Sequence, residues 1–347
     1  MGNANAAEEL SSTAQALVAP GKGILAADES TGTIEKRFKS ISVPSTEENR
    51  RRYRQMLFTT GRIGDHVSGA ILYDETIRQK GSDGTPFPEV LRRAGVIPGI
   101  KVDTGTKPLP GCPNEVVTEG LDGLRERLAG YRDLGARFAK WRAVITIGDG
   151  LPTETCLHVN AHALARYAAL CQEALLVPIV EPEVLMDGAH PIERCYEVTR
   201  SALDTVFAEL RFQRVRLEGM LLKPNMVIAG GKCPRQASVQ DVARETVCCL
   251  RRTVPASVPG IVFLSGGQSD VVATEHLDAM NRIGPHPWRL SFSYGRALQH
   301  PAMAAWKGEP SRVPAAQKIF FHRARMNGAA AAGKYSAALE REAAAAS

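Results

Sequence analysis

The chain has 347 residues, of which 44% are hydrophobic and 23% are charged, an ordinary composition for a soluble globular protein. No apolar stretch approaches the roughly 20 residues that a membrane helix needs, and no nucleic-acid-binding module is recognisable. The formal net charge of +6 is compatible with anionic substrates. The composition therefore favours a soluble protein with no membrane and no specific nucleic-acid partner.

The cysteines and histidines indicate neither a disulfide frame nor a metal site. Seven cysteines are scattered without metal-finger spacing, which is typical of thiols in a reducing compartment. His158 and His162 are four residues apart but lie on a predicted surface helix, where a solvated pair is the simpler interpretation. Residues 1–9 lack a secretory signal pattern. We therefore expect a cytoplasmic protein without metal or cofactor.

Residues 1–20 are predicted to form a helix outside the main fold, and eight short apolar runs follow it. Most of these runs are continuously apolar, as expected for parallel strands that are buried on both faces. The predicted strands are 23–27, 67–73, 96–102, 138–145, 175–180, 220–222, 261–264 and 288–292.

Segments of helical composition lie between the predicted strands. This alternation predicts a parallel sheet, and eight repeats favour closure into a (β/α)8 TIM barrel. No GxGxxG motif follows the first strand, which counts against a dinucleotide-binding open sheet. The predicted helices are 47–60, 121–134, 160–175, 191–211, 240–253 and 274–281.

We expect one catalytic domain over residues 1–347, because no low-complexity linker interrupts the barrel pattern. Residues 325–347 are rich in Ala and Gly and are predicted to form a mobile C-terminal tail.

Lys223 is the most informative residue. It stands at the end of a short apolar strand that Pro224 terminates. Desolvation and a nearby cation both favour the neutral amine, which is the form that attacks a carbonyl to give a Schiff base. The alternative for this segment alone is a lysine whose stem packs on the sheet edge while its head reaches water.

Polar residues follow the other predicted strands at the same relative position. In a barrel, the C-terminal ends of all strands open on one face, where the active sites of this architecture form. The residues at these ends are Asp28, Glu29, Asp74, Glu75, Lys101, Asp103, Lys140, Arg142, Glu181, Glu183, Lys223, 265–267 and 293–296.

Alternation along a strand places Lys140 and Arg142 on one side, and likewise Glu181 and Glu183. A lumen that holds both pairs with Asp28 could balance its own charge, and its glutamates could transfer protons. Each pair alone is also compatible with a structural salt bridge. Their position as a ring on one barrel face favours function.

Small residues and an arginine after the last two strands have the pattern of a phosphate site. Backbone N–H groups of Ser265, Gly266 and Gly267 could approach a phosphate closely. Ser293 and Gly295 follow the last strand with Arg296, whose fork matches a phosphate. Lys36 and Arg37, with Lys101 and Arg142, could hold a second phosphate, although 36–37 is equally compatible with a solvated helix surface.

Seven segments together resemble the class I fructose-bisphosphate aldolases. They occur in family order over nearly the whole chain, and several are long and distinctive. The segments are 25–32, 99–103, 139–142, 179–183, 217–226, 264–268 and 292–298.

The resemblance implies reversible cleavage of fructose 1,6-bisphosphate to dihydroxyacetone phosphate and glyceraldehyde 3-phosphate, in glycolysis and gluconeogenesis. Lys223 matches the Schiff-base lysine, whose protonated imine accepts the electrons of the C3–C4 bond. Glu181 matches the general acid/base and Glu183 its supporting partner. Lys140 matches the cation beside the imine, and Asp28 the carboxylate that acts on the C4 hydroxyl.

The resemblance also assigns the phosphate positions and the assembly. The C1-phosphate cradle corresponds to Ser265, Gly266, Gly295 and Arg296, whereas Arg37, Lys101 and Arg142 correspond to cations toward the other phosphate. A homotetramer is expected. Many relatives end in a tyrosine that assists the last proton transfer, but this chain ends in Ser347 and its last tyrosine is Tyr335.

Three alternatives remain open at the level of sequence. The first is a Schiff-base lyase that prefers another phosphosugar, such as fructose 1-phosphate. The second is a metal-dependent aldolase, which EDTA would inhibit. The third is a non-catalytic scaffold, against which the retained Asp28, Lys140, Glu181 and Lys223 argue.

Overall fold

The structure is a computed structural model that describes the backbone of residues 2–344 and the side chains of residues 5–341. Met1 and residues 345–347 lie outside the described residues. The predicted N-terminal helix includes Met1, and the predicted C-terminal tail includes residues 345–347.

Eight parallel strands close into a barrel, which confirms the predicted (β/α)8 TIM fold. In order around the barrel they are β1, β2, β3, β6, β7, β8, β9 and β10. The remaining two strands, β4 and β5, form an antiparallel hairpin between β3 and β6. The strand bounds are β1 Gly23–Ala27, β2 Val67–Leu72, β3 Ile97–Lys101, β4 Gly105–Pro108, β5 Val116–Glu119, β6 Phe138–Ile145, β7 Val177–Val184, β8 Leu221–Leu222, β9 Gly260–Phe263 and β10 Arg289–Tyr294.

Helices surround this barrel and cover its N-terminal end. Their bounds are α1 Gly2–Leu17, α2 Thr31–Lys39, α3 Glu47–Phe58, α4 Asp74–Arg78, α5 Phe87–Arg93, α6 Leu124–Asp133, α7 Glu154–Glu173, α8 Ile192–Phe212, α9 Val239–Thr253, α10 Asp270–Ile283, α11 Arg296–Trp306, α12 Val313–Ala331 and α13 Ala337–Ala344. No helix among residues 2–344 is both long and apolar enough to cross a membrane.

Some element boundaries differ from those expected from the sequence. Strand β7 continues to Val184 instead of ending at residue 180. The charges of Glu181 and Glu183 suggested a strand end in the sequence, but Lys223 and Arg142 compensate them inside the barrel. Helix α7 begins at Glu154 instead of residue 160, since the Thr153 side chain accepts a hydrogen bond from the Cys156 N–H and caps it.

Alternation along the strands separates two apolar clusters. Ile24 and Ala26 of β1 belong to a cluster inside the barrel, whereas Leu25 and Ala27 pack outward against the helices. Phe138 of β6 fills the lumen so closely that a Cβ on Gly99 would lie 2.3 Å from its ring. Residues of α1 complete the inner cluster and close the N-terminal end of the barrel. The C-terminal end is left for polar side chains.

The described part of the Ala- and Gly-rich segment after residue 325 makes tertiary contacts. It continues α12 to Ala331 and then forms α13, and the side chain of Tyr335 between them is buried. The Tyr335 N–H donates to Asp278 Oδ1 at 2.8 Å, and the Arg282 guanidinium donates to the Tyr335 carbonyl oxygen. The predicted mobility of the segment stays a prediction.

Candidate active site

Each charged residue predicted for the lumen has the inward parity of its strand. Lys140 and Arg142 share the face of Phe138 on β6, and Glu181 and Glu183 share the face of Ile179 on β7. Lys223 is two residues after Leu221, another member of the inner cluster. The inside of the barrel is therefore apolar toward its N-terminal end and charged near the C-terminal ends of the strands.

Four of these groups form one connected chain of contacts. Lys223 Nζ lies 3.0 Å from Glu181 Oε1. The other oxygen of Glu181, Oε2, lies 3.4 Å from Lys140 Nζ, and Lys140 Nζ lies 2.7 Å from Asp28 Oδ2. Lys140, Glu181 and Lys223 are almost completely buried. Two cations and two carboxylates thus compensate each other inside the barrel.

The electrostatics of this chain keep Asp28 and Lys140 ionised. Burial alone raises the pKa of Asp28, but attraction from Lys140 and Lys223 outweighs burial and holds this pKa well below its ordinary value. Burial lowers the pKa of Lys140, but the carboxylates of Asp28 and Glu181 outweigh it and raise the pKa above its ordinary value. At neutral pH the site therefore presents a fixed ammonium beside a fixed carboxylate.

The other predicted lumen residues form separate ion pairs. The Arg142 guanidinium donates to the carboxylate of Glu183, and the two groups lie in direct contact. Lys101 Nζ lies 2.6 Å from Asp103 Oδ1, while Asp103 Oδ2 accepts from the Arg142 N–H at 3.3 Å. Lys101 is thus paired with Asp103, and Arg142 is paired with Glu183. Both cations lie where the sequence predicted a second phosphate.

Asn225 connects the strand that carries Lys223 to the strand that carries the glutamates. Its Oδ1 accepts from the Val184 N–H at 3.1 Å, and its Nδ2 donates to Thr199 Oγ1 at 3.0 Å. The residue is buried. In the sequence, Asn225 belongs to the segment that resembles the family, but nothing there predicts its hydrogen bonds to Val184 and Thr199.

The predicted phosphate loop and Arg296 come together as expected. The Arg296 guanidinium donates to the carbonyl oxygen of Gln268 and, at 3.5 Å, to that of Ser265. Gly267 has a positive φ of 73°, which a residue with a side chain rarely adopts. A Cβ on Gly266 would lie 3.2 Å from Glu183 Oε1, so the loop passes directly over this glutamate.

Gln268 is a loop residue that sequence analysis did not single out as functional. Its Oε1 lies 2.6 Å from Nδ1 of the buried His276 on α10. Burial lowers the pKa of His276 to about 4, so this imidazole is neutral at pH 7 and acts as a fixed support. No local pattern could have paired two residues that are eight positions apart across a loop and a helix.

Two further predicted residues offer groups that a ligand could use. Ser293 is buried, and its Oγ has no hydrogen-bond partner among the described side chains and backbone. Arg37 Nη2 lies 3.6 Å from the place that a Cβ on Gly295 would occupy. An unpaired hydroxyl and a guanidinium beside a glycine backbone suit an anionic, hydroxylated ligand.

Not every residue at a strand end joins the site. Asp74 begins α4 and accepts hydrogen bonds from Arg78 and from the Tyr131 hydroxyl. Glu75 pairs with Arg50, with 2.5 Å between oxygen and nitrogen. These residues therefore stabilise the outer helices. Within the described part of the chain, no group of three or more His, Cys, Asp or Glu is placed to hold a metal ion.

The comparison with known proteins identifies the family. The family model described as fructose-bisphosphate aldolase class-I matches residues 9–347. A probable fructose-bisphosphate aldolase class 1 of Xanthomonas axonopodis pv. citri is 59% identical over 329 residues, which cover 94% of this chain and 98% of the relative. Fructose-bisphosphate aldolase 1 of Toxoplasma gondii is 55% identical, with coverage of 95% of this chain and 91% of the relative.

A solved structure agrees with these relatives. The fructose-bisphosphate aldolase from Plasmodium falciparum, solved in complex with TRAP and a small molecule inhibitor, superimposes with a TM-score of 0.95 at 52% identity. The match covers 96% of each chain. The whole barrel is therefore shared, and this chain belongs to the class I fructose-bisphosphate aldolase family of carbon–carbon lyases.

Proposed function

We propose that this protein cleaves fructose 1,6-bisphosphate reversibly into dihydroxyacetone phosphate and glyceraldehyde 3-phosphate, through an imine on Lys223. The observation that carries the proposal is the buried amine of Lys223, 3.0 Å from a carboxylate oxygen of Glu181. A carboxylate at hydrogen-bond distance can take the ammonium proton and so generate the nucleophile. Membership of the family supports the same reaction.

In the first step, Glu181 accepts a proton from Lys223 and the neutral amine attacks the C2 carbonyl of the open-chain ketose. The product is a carbinolamine, and its hydroxyl leaves as water when Glu181 returns a proton to it. The nitrogen lone pair then forms the C=N bond of a protonated imine. Lys140 remains charged beside Glu181, with 3.4 Å between Nζ and Oε2, and stabilises the carboxylate that Glu181 becomes again after the second transfer.

In the second step, Asp28 removes the proton of the C4 hydroxyl. The C3–C4 bond breaks, its electron pair moves to the protonated imine, and the C4 oxygen becomes the aldehyde of glyceraldehyde 3-phosphate. The imine becomes an enamine, so the reaction needs no further electron acceptor. Lys140, 2.7 Å from Asp28, holds the carboxylate in its ionised form, which is the form that can accept a proton.

In the third step, the enamine takes a proton from solvent at C3, Asp28 releases to solvent the proton of the C4 hydroxyl, and water hydrolyses the resulting imine. Addition of water gives a carbinolamine again, and its collapse releases dihydroxyacetone phosphate with Lys223 as a free amine. Glu181 serves both proton transfers at C2 in the reverse sense. Glu183, paired with Arg142, supports the position of this side of the lumen.

The two phosphate groups are assigned to two sides of the C-terminal opening of the barrel. Ser265, Gly266, Gly267 and Arg296 offer backbone N–H groups and a guanidinium to the C1 phosphate, and Gly295 allows its close approach. Lys101 and Arg142 supply positive charge toward the other phosphate, whereas Arg37, which the family resemblance assigns to the same phosphate, lies beside Gly295 on the C1-phosphate side. Ser293 offers its unpartnered hydroxyl to the sugar.

We further propose that the protein is a cytoplasmic homotetramer. The family membership supports this assembly, and sedimentation or light scattering of the purified protein would test it. A monomer at micromolar concentration with full turnover would contradict it.

The deciding experiment traps the imine. The protein is incubated with fructose 1,6-bisphosphate, reduced with borohydride and digested, and the modified peptide is located by mass spectrometry. We expect the adduct on Lys223, unchanged turnover in EDTA, and neither adduct nor turnover in Lys223→Met. Turnover without an adduct, abolished by EDTA, would contradict the proposal.

A further inference from the structure

A second buried charge cluster lies beside the active site, where β1 ends. Glu29 directly follows Asp28, and two arginines share its carboxylate. Oε1 accepts from Arg37 and, at 3.0 Å, from Gln299 Nε2. Oε2 lies 2.7 Å from Arg54 Nη2. The carboxylate of Glu29 therefore bridges an arginine of α2 and an arginine of α3.

Arg54 is placed unusually for an arginine. Its side chain is only 3% exposed. Its Nε and Nη1 have no hydrogen-bond partner among the described residues. Burying a guanidinium with unused donors is unfavourable. The apolar face of α3 could have been completed by a hydrophobic residue at this position, so packing alone does not explain the arginine.

The cluster also carries an excess of positive charge. Two guanidinium groups share the one carboxylate of Glu29, whereas Asp28 with Lys140 and Glu181 with Lys223 balance charge for charge. Of the three members, only Arg37 reaches solvent appreciably, with its side chain 28% exposed. The excess charge is thus presented through Arg37.

Hydrogen bonds through Gln299 hold the carboxylate of Glu29 in one orientation. Gln299 Nε2 donates to the Ala26 carbonyl oxygen at 2.7 Å as well as to Glu29. The Tyr53 hydroxyl donates to Gln299 Oε1 at 3.0 Å and so orients the amide. Glu29 is therefore held between β1 and α11, with Arg37 beside Gly295 at the start of α11.

We propose that Arg54 is a positioning residue for substrate phosphate. It acts through Glu29, which it holds in the orientation that presents Arg37, and it supplies the positive charge that a phosphate beside Arg37 neutralises. The inference rests on the proposed function, because it concerns the same substrate. Arg54 itself makes no contact with the substrate in this scheme.

A double-mutant cycle separates this role from a purely structural one. Arg54→Met, Arg37→Ala and the double variant are compared with the unmodified protein in KM and kcat for fructose 1,6-bisphosphate. We expect Arg54→Met to raise KM about tenfold and to change kcat by less than about threefold, since the chain from Lys223 to Asp28 is untouched. In the Arg37→Ala background, Arg54→Met should have no further effect on KM.

Two additional variants guard against a folding defect. Arg54→Lys keeps the charge but lacks the fork that reaches Glu29, and should raise KM by a smaller factor than Arg54→Met. Arg51→Lys on the same helix alters a surface arginine that pairs with Glu48 at 2.7 Å, and should leave KM and Tm unchanged. If Arg54→Met does not fold, the same cycle is run with Arg54→Lys.

Binding in an inactive background distinguishes this inference from the mechanism. Calorimetric titration of fructose 1,6-bisphosphate into Lys223→Met, with and without the Arg54 change, measures the effect on Kd when no imine can form. An equal Kd in the two folded proteins, or additive effects of Arg37→Ala and Arg54→Met on KM, would overturn the role of Arg54. Neither result bears on whether Lys223 forms the imine.

Discussion

Asp28 and Lys140 meet across the barrel, with 2.7 Å between Oδ2 and Nζ. Their strands are not neighbours, since β2 and β3 lie between β1 and β6 on the shorter way round. Both side chains therefore cross the lumen toward each other, and closure of the barrel creates the contact. The pair places a permanently charged ammonium within reach of both Asp28 and Glu181.

Replacing Lys140 with Met should shift the acid limb of the pH–rate profile to higher pH. Burial alone raises the pKa of Asp28, and Lys140 is the strongest of the attractions that lower it. Without this cation the pKa of Asp28 rises, so the carboxylate is lost at a higher pH as the solution is acidified. The measurement is kcat/KM against pH, together with kcat at neutral pH, which we expect to fall at least about 100-fold.

Lys140→Arg is the matched control for this prediction. It keeps a cation next to Asp28, so the acid limb should stay close to that of the unmodified protein even if the larger head group lowers the rate. An unshifted acid limb in a folded Lys140→Met protein would show that Asp28 is not the group whose ionisation Lys140 maintains.

Glu181→Gln should slow imine formation more than it weakens substrate binding. The amide has nearly the shape of the carboxylate but cannot accept the proton of Lys223, which lies 3.0 Å away. Loss of a general acid/base lowers the rate by about 10²–10⁴. Rapid mixing with substrate, followed by borohydride quenching at increasing times, measures the step directly. Trapping at the unmodified rate would assign the proton transfer to another group.

The two adjacent glycines of the phosphate loop should respond differently to alanine. In Gly267→Ala the new Cβ would lie 2.6 Å from Met186 Cβ at a position with positive φ, so we expect a clear loss of thermal stability. In Gly266→Ala the Cβ would lie 3.1 Å from Leu264 Cδ1 and 3.2 Å from Glu183 Oε1, and both side-chain ends can shift slightly, so we expect Tm to be nearly kept while KM rises. Melting curves and KM for both variants test the contrast.

The residues that the sequence predicted well are those governed by strand periodicity and strand ends. Lys140, Glu181 and Lys223 could be assigned to one lumen because alternation fixes which way each side chain points and barrel closure brings the ends together. The same reasoning does not separate them from Asp74, which also follows a strand but begins α4 and contacts the outer helices.

Contacts between helices could not be derived in this way. Arg54 stands in a charged helical stretch, and nothing in that stretch indicates that the residue is buried beside Glu29. The pairing of His276 with Gln268 likewise depends on how α10 leaves the phosphate loop. Such partners are set by tertiary packing, for which one sequence carries no periodic signal.

Glu340→Gln should destabilise the C-terminal segment in a pH-dependent way. Oε2 of Glu340 accepts from His322 Nε2 at 2.9 Å, and Oε1 accepts from the Tyr335 hydroxyl at 3.1 Å and from Arg323. Burial raises the pKa of Glu340, but His322 and Arg323 outweigh it and lower the pKa from 4.5 to about 2.

Because this pKa is lower in the folded state, the stabilisation by Glu340 is present above pH 4.5 and is lost as the pH falls toward 2. We expect Glu340→Gln to reduce the free energy of unfolding by about 1–3 kcal/mol at pH 7, and by progressively less below pH 4.5. Urea denaturation at several pH values measures the difference. Glu197→Gln, which alters an exposed pair with Arg194, is the control and should change little.

Removal of the residues after Lys334 should lower thermal stability while leaving most of the activity. The truncation deletes Tyr335 and Glu340, so the guanidinium of the buried Arg323 loses its carboxylate. The contacts that connect Lys223, Glu181, Lys140 and Asp28 involve no residue after Lys334. We therefore expect turnover of fructose 1,6-bisphosphate within about tenfold of the full chain at 25 °C, a difference of about 1.4 kcal/mol in barrier height. A loss of several orders of magnitude in a protein that remains folded would show that the segment contributes a catalytic group after all.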